Sequence, residues 1–138
     1  MKLAVVGSIN MDMTVTAERI PAKGETLAGG SISYIPGGKG ANQAVAMAKL
    51  GADVEMFGCV GDDSNGERLL QNLKDVGVKT EHVKVIKDVP TGIAMITVAE
   101  NDNTIIVVPG ANGKVDREYV DEIKPVLKTF DMVVLQHE

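Results

Sequence analysis

Gly37-Gly38-Lys39-Gly40-Ala41-Asn42-Gln43 separates two segments of different periodicity. On its N-terminal side Ser31-Ile32-Ser33-Tyr34-Ile35 alternates like a strand. On its C-terminal side residues 40–50 carry an apolar helical stripe (Ala44, Val45, Met47, Ala48, Leu50) that Gly51 closes. The glycines therefore occupy a turn that opens a helix. Glycine accepts positive φ and admits a ligand close to the backbone. The first helical turn adds unpaired N–H groups and the positive end of the dipole. Lys39 and Asn42 are three residues apart and share one face of that turn. A cation and an amide over a glycine turn suit a hydroxyl-rich ligand; the pattern equally suits an ordinary turn with a solvated lysine. Two phosphate-binding motifs are excluded. A Walker A loop needs Ser or Thr where Gly40 stands and Gly where Ser33 stands, and G-x-G-x-x-G needs Gly where Gln43 stands.

Composition bounds the remaining possibilities. The chain has 138 residues, 44% hydrophobic and 24% charged, which is one ordinary globular domain. Its net charge is −5, with two Phe, two Tyr and no Trp, so neither a basic stripe nor an aromatic platform argues for nucleic acid. Cys59 lies in the apolar run 54–60 and reads as a buried reduced thiol. The apolar run at the N-terminus is too short for a signal peptide and no stretch has membrane-spanning length, which points to a soluble cytoplasmic protein. Met132-Val133-Val134-Leu135 has the pattern of a buried core strand, and the sequence stops at Glu138 just after it. That ending suggests a fragment of a longer chain.

Read in order, residues 3–6 form a strand buried on both faces of a parallel sheet. Gly7-Ser8-Ile9-Asn10-Met11-Asp12 leaves it. Asn10 and Asp12 point the same way in extended chain and follow the carboxyl end of the first strand, where open α/β sheets bind ligands. An Asx turn is the alternative reading of the same residues. Residues 13–17 and 31–35 form one antiparallel piece. Residues 54–60 form the next core strand, followed by a helix for which Ser64 and Glu67 fit a capping box, while Asp62 and Asp63 favour the positive end and read as capping residues. The two aspartates lack the calcium-loop repeat, so no metal site is expected. His82 lies in the charged connector 79–84 and reads as exposed. Residues 93–99 and 104–108 form a hairpin turned by Asn101-Asp102-Asn103. Asp116 caps a last helix that Pro125 disturbs, before the strand 132–135. Strands alternating with helices predict a mostly parallel sheet.

Several of these stretches resemble one family. Gly7-Ser8-Ile9-Asn10-Met11-Asp12, Pro21-Ala22-Lys23-Gly24-Glu25-Thr26 and Gly37-Gly38-Lys39-Gly40-Ala41-Asn42-Gln43-Ala44 are similar to the ribokinases of the PfkB-type carbohydrate kinase family. Cys59-Val60-Gly61-Asp62-Asp63-Ser64-Asn65-Gly66, Thr91-Gly92-Ile93-Ala94 and Gly110-Ala111-Asn112 continue the match in order. The resemblance spans this chain but only about the N-terminal half of the family's length. It implies a Rossmann-like α/β sandwich with a mostly parallel central sheet and a small antiparallel β lid, incomplete here. Residues 1–12, 37–90 and 110–138 would be core, and residues 13–36 and 91–109 lid.

The resemblance also implies ATP-dependent phosphorylation of D-ribose at O5. Asn10 and Asp12 would hold sugar hydroxyls; Gly38, Lys39, Asn42 and Glu138 would complete the polar wall; Ala94 and Ile96 would close over it. ATP, Mg2+ and a monovalent cation such as K+ are implied as cofactors, and a homodimer through the lid as the assembly. The family's Gly-Ala-Gly-Asp run, which carries the catalytic base, is absent from these residues, so no catalytic residue is expected in this chain and the isolated 138 residues are expected to be inactive. The alternatives are another sugar or nucleoside kinase of the family, or a non-catalytic sugar-binding or dimerisation fragment.

Overall fold

In a computed structural model that describes residues 1–137, two four-stranded sheets share the chain. The first has the order β5-β4-β1-β8, all parallel, from β1 (Lys2–Val6), β4 (Asp53–Gly61), β5 (Val83–Ile86) and β8 (Met132–Leu135). Alternation along β1 and β4 divides the core. Val5, Val54, Met56 and Val60 pack with Ala44 of α1 (Lys39–Lys49) and with Leu69 and Leu73 of α2 (Ser64–Asp75). Ala4, Val6, Phe57 and Cys59 pack with Tyr119 and Ile123 of α3 (Arg117–Leu127) on the other side. A sheet covered on both faces explains the continuous apolar runs in β1 and β4. Cys59 is buried and free, and burial pushes its thiol up to about 11. No helix among the described residues is long and apolar enough to cross a membrane.

The second sheet has the order β3-β2-β6-β7, from β2 (Asn10–Thr16), β3 (Ser31–Gly37), β6 (Gly92–Ala99) and β7 (Asp102–Val108). The pairs β2–β3 and β6–β7 are antiparallel, as expected, but they join through a parallel pairing of β2 with β6. The sheet is therefore mixed. Both central strands leave the same end of the first sheet and run outward together, which makes them parallel.

Four further expectations are corrected. His82 is half-buried: its ring stacks on Phe57 with centroids 5.1 Å apart, Nδ1 meets the Glu55 carboxylate, and its carbonyl accepts from the Tyr119 hydroxyl at 2.9 Å. Glu55 is itself buried in β4 and needs that partner. Of the capping readings for α2, Asp63 is the cap and accepts from Gly66 N at 2.8 Å, whereas Ser64 is already helical and forms no capping box with Glu67. Among the described residues β8 lies at a sheet edge with Met132 and Leu135 more than half exposed, where a buried strand was expected. Helix α3 runs through Pro125 to Leu127 without interruption.

Candidate functional site

The apolar run of β1 ends at Gly7, and the chain crosses to the second sheet within two residues. Ile9 is fully buried and anchors the crossing. Ser8 is held from β8's side, since its N–H and hydroxyl both donate to Gln136 Oε1, at 3.0 and 2.9 Å. Strand β2 begins at Asn10, so Asn10 and Asp12 lie on one face of it.

Gly38 brings the helix to this point. It adopts φ 94° at the entrance to α1, and a Cβ there would lie 2.7 Å from both Asn10 N and Ser8 O. Only glycine meets both demands. The first turn of α1 then sits on the crossing, with Ala41 N donating to Ser8 O at 3.0 Å. Lys39 and Asn42, on the exposed side of that turn, come beside Asn10 and Asp12.

The second sheet, which already carries Asn10 and Asp12, also supplies the apolar residues beside them. In register, Asp12 pairs with Ala94 and Thr14 with Ile96; across the hairpin Ala94 pairs with Val107 and Ile96 with Ile105. Asn10, Asp12, Gly38, Lys39 and Asn42 thus form one side of a depression of about 270 Å³, and Ala94, Ile96, Ile105 and Val107 form an apolar side. All the residues singled out from the sequence as far as Ile96 meet here; Glu138 lies outside the described residues. Ile105 and Val107 were not anticipated. Nor was Asn112, whose Nδ2 donates to Asn10 Oδ1 at 2.6 Å from behind the depression. Its only sequence signal was its place in Gly110-Ala111-Asn112.

Partial burial raises the Asp12 carboxyl above its ordinary value, while Asn10 is only 6% exposed. Together the polar side offers a carboxylate acceptor, two amides and an ammonium group. Beside an apolar patch, that set suits a small molecule that carries both hydroxyls and C–H groups. Asp63 is occupied elsewhere. Its oxygens accept from Gly66 N, Thr91 N and the Thr91 hydroxyl at 2.8, 2.8 and 2.6 Å. Burial pushes its pKa up, and these bonds outweigh it, leaving the value lowered. Among the described residues no three His, Cys, Asp or Glu side chains are grouped to hold a metal ion. A larger hollow of about 540 Å³ beside Lys74 and residues 77–81 lies towards the amino end of β4, where Lys79 bridges to Glu55. Open α/β sheets bind ligands at the other end.

Known proteins share this fold. Ribokinase of Bacillus subtilis is 46% identical over 136 residues, covering 99% of this chain and 46% of that protein. The solved ribokinase of Giardia lamblia superposes with a TM-score of 0.85 at 34% identity, over 98% of this chain and 42% of that one. The ribokinase of Arabidopsis thaliana, solved in complex with ribose and ATP, superposes with a TM-score of 0.74 at 40% identity, over 80% and 36%. The chain thus spans about half the length of the curated relatives it matches. Residues 1–137 match the pattern described as pfkB family carbohydrate kinase, and the chain belongs to that family.

Proposed function

We propose that this chain forms the sugar-binding part of a kinase that transfers a phosphoryl group from ATP to the 5-hydroxyl of D-ribose. The observation that carries the reading is the convergence of Asn10, Asp12, Gly38, Lys39 and Asn42 on one depression with an apolar wall. Asn10 and Asp12 hold adjacent sugar hydroxyls, Lys39 and Asn42 hold others, and Glu138 adds a further contact. Ala94 and Ile96 cover the C–H face and keep water from the reacting hydroxyl. A small sugar is favoured over a nucleoside because the wall carries no aromatic ring for a base to stack on. The likeness to a ribokinase solved with ribose and ATP supports both ligands.

Residues 13–36 and 91–109 are assigned as the lid, and residues 1–12, 37–90 and 110–138 as core. The catalytic base, the ATP site, and the sites for Mg2+ and a monovalent cation such as K+ are assigned to the further length that the relatives have. The described residues offer no cluster of three His, Cys, Asp or Glu side chains for such an ion. Phosphoryl transfer depends on positioning and charge stabilisation; what these residues contribute is the positioning of the acceptor sugar. ATP as donor implies the cytoplasm as the compartment. The exposed face of the lid is assigned to contact with a second copy.

Titration of the 15N-labelled chain with D-ribose tests the reading. Backbone resonances of Asn10, Asp12 and residues 38–42 are expected to shift, and Asp12→Ala is expected to weaken the response by roughly tenfold or more, the loss of a charge-assisted hydrogen bond. Shifts confined to other residues, or an Asp12→Ala chain that binds as well as wild type, would remove ribose from this depression.

A further inference from the structure

Behind the depression, Asn112 lies in the 3₁₀ turn Gly110–Lys114, where the chain leaves β7 and rejoins the first sheet. Its amide is fixed by the backbone of one residue. Ile9 N donates to Asn112 Oδ1 at 2.9 Å, and Asn112 Nδ2 donates to Ile9 O at 3.2 Å. A backbone N–H only donates and a carbonyl only accepts, so these bonds determine which end of the Asn112 amide is oxygen. The second Nδ2 hydrogen goes to Asn10 Oδ1 at 2.6 Å. The polarity therefore propagates: the Asn10 oxygen is turned back towards Asn112, and its NH2 end is left to meet the depression. Gly92 makes this possible. It is the register partner of Asn10 across the β2–β6 pair, and a Cβ there would collide with Asn112 Nδ2 and Asn10 Oδ1.

We propose that Asn112 is a positioning residue that sets Asn10 as a hydrogen-bond donor beside Asp12 as an acceptor. The inference rests on the sugar-binding reading above and adds the direction of its hydrogen bonds. A sugar hydroxyl accepts from Asn10 while its neighbour donates to Asp12. With the Asn10 amide reversed, the ligand would face two acceptors and would have to donate to both. Because Asn112 belongs to the return from β7, the same bond ties that turn to the start of β2.

Asn112→Asp tests this, since it keeps the shape and loses both N–H donors. A carboxylate oxygen then faces Asn10, whose amide turns over to donate to it. Two quantities are read on the 15N-labelled chain: the side-chain amide resonances of Asn10 and the Kd for D-ribose. N112D is expected to move the Asn10 amide resonances and to weaken ribose about tenfold. Gly92→Ala reaches the same bond from β6 and is expected to weaken ribose similarly, with the double variant little worse than either single one. Should N112D fail to fold, Gly92→Ala carries the same two readouts. In a chain that binds ribose, unmoved Asn10 resonances, or moved resonances with unchanged Kd, overturn the proposal alone. A wild-type chain that binds no ribose at the depression overturns the sugar reading and this inference with it.

Discussion

Asp12 and Asp63 carry the same side chain into environments with opposite consequences. Asp63 caps α2 and also holds both polar groups of Thr91 at the entrance to β6; these bonds outweigh burial and lower its pKa. A carboxyl lowered below its unfolded value, near 4, stabilises the fold above that value and loses the contribution as pH falls through the folded pKa. For Asp12 burial acts alone and raises the pKa. Its ionised form costs stability at neutral pH, and the cost fades as pH falls through the raised folded pKa towards the unfolded value. Urea unfolding at pH 7 and pH 3 separates the two. Asp63→Asn, which sets an NH2 against the Thr91 or Gly66 N–H, is expected to lose on the order of 1–3 kcal/mol at pH 7, with the deficit shrinking at pH 3. Asp12→Asn is expected to be more stable than wild type at pH 7 and to lose that margin at pH 3. A destabilised Asp12→Asn would show that the carboxylate has favourable partners in the unliganded fold.

At the scale of an element, the hairpin β6–β7 shows what the sequence leaves open. Its two strands were legible from their alternation, but the turn was placed at Asn101-Asp102-Asn103. In the fold Ala99 pairs with Asp102, and Glu100 and Asn101 make a two-residue turn with φ of 55° and 61°. Shifting a turn by so little changes every cross-strand partner, so the sequence pattern alone does not put Ile105 and Val107 beside Ala94 and Ile96, which the resemblance supplied. Turns of this hand match the twist of the strands and favour Asn-Gly, whereas other residues with positive φ carry a cost of about 1–2 kcal/mol each. Replacing Glu100 by Asn together with Asn101 by Gly is therefore expected to raise stability by about 1 kcal/mol in urea unfolding. A loss of stability would mean that the Glu100 or Asn101 side chain makes a contribution larger than the backbone strain.

Across the whole molecule, legibility follows the range of the interaction. The glycine turn, the helix it opens and the Asn10/Asp12 pair are set by neighbours in sequence, so most of the candidate site could be read directly. The parallel β2–β6 joint, the pairing of His82 with Glu55 and the edge position of β8 each depend on residues far apart in the chain, and no local pattern encodes them. The same register that turns Asp12, Ala94 and Val107 towards the depression turns their neighbours Tyr34, Met13, Met95 and Ile106 to the opposite face, in one row across four strands. Tyr34, Met95 and Ile106 are 43%, 52% and 68% exposed, and Ile32 and Val108 extend the patch. An apolar face of this kind marks an interaction surface. Among the described residues β8 also presents an edge, with Met132 and Leu135 exposed. If the sheet face receives a second copy, sedimentation should show concentration-dependent dimers that Met95→Glu with Ile106→Glu abolishes, while Met132→Lys leaves them intact. Dimers that survive the double variant and disappear with Met132→Lys would move the contact to the β8 edge and remove the second sheet from the assembly.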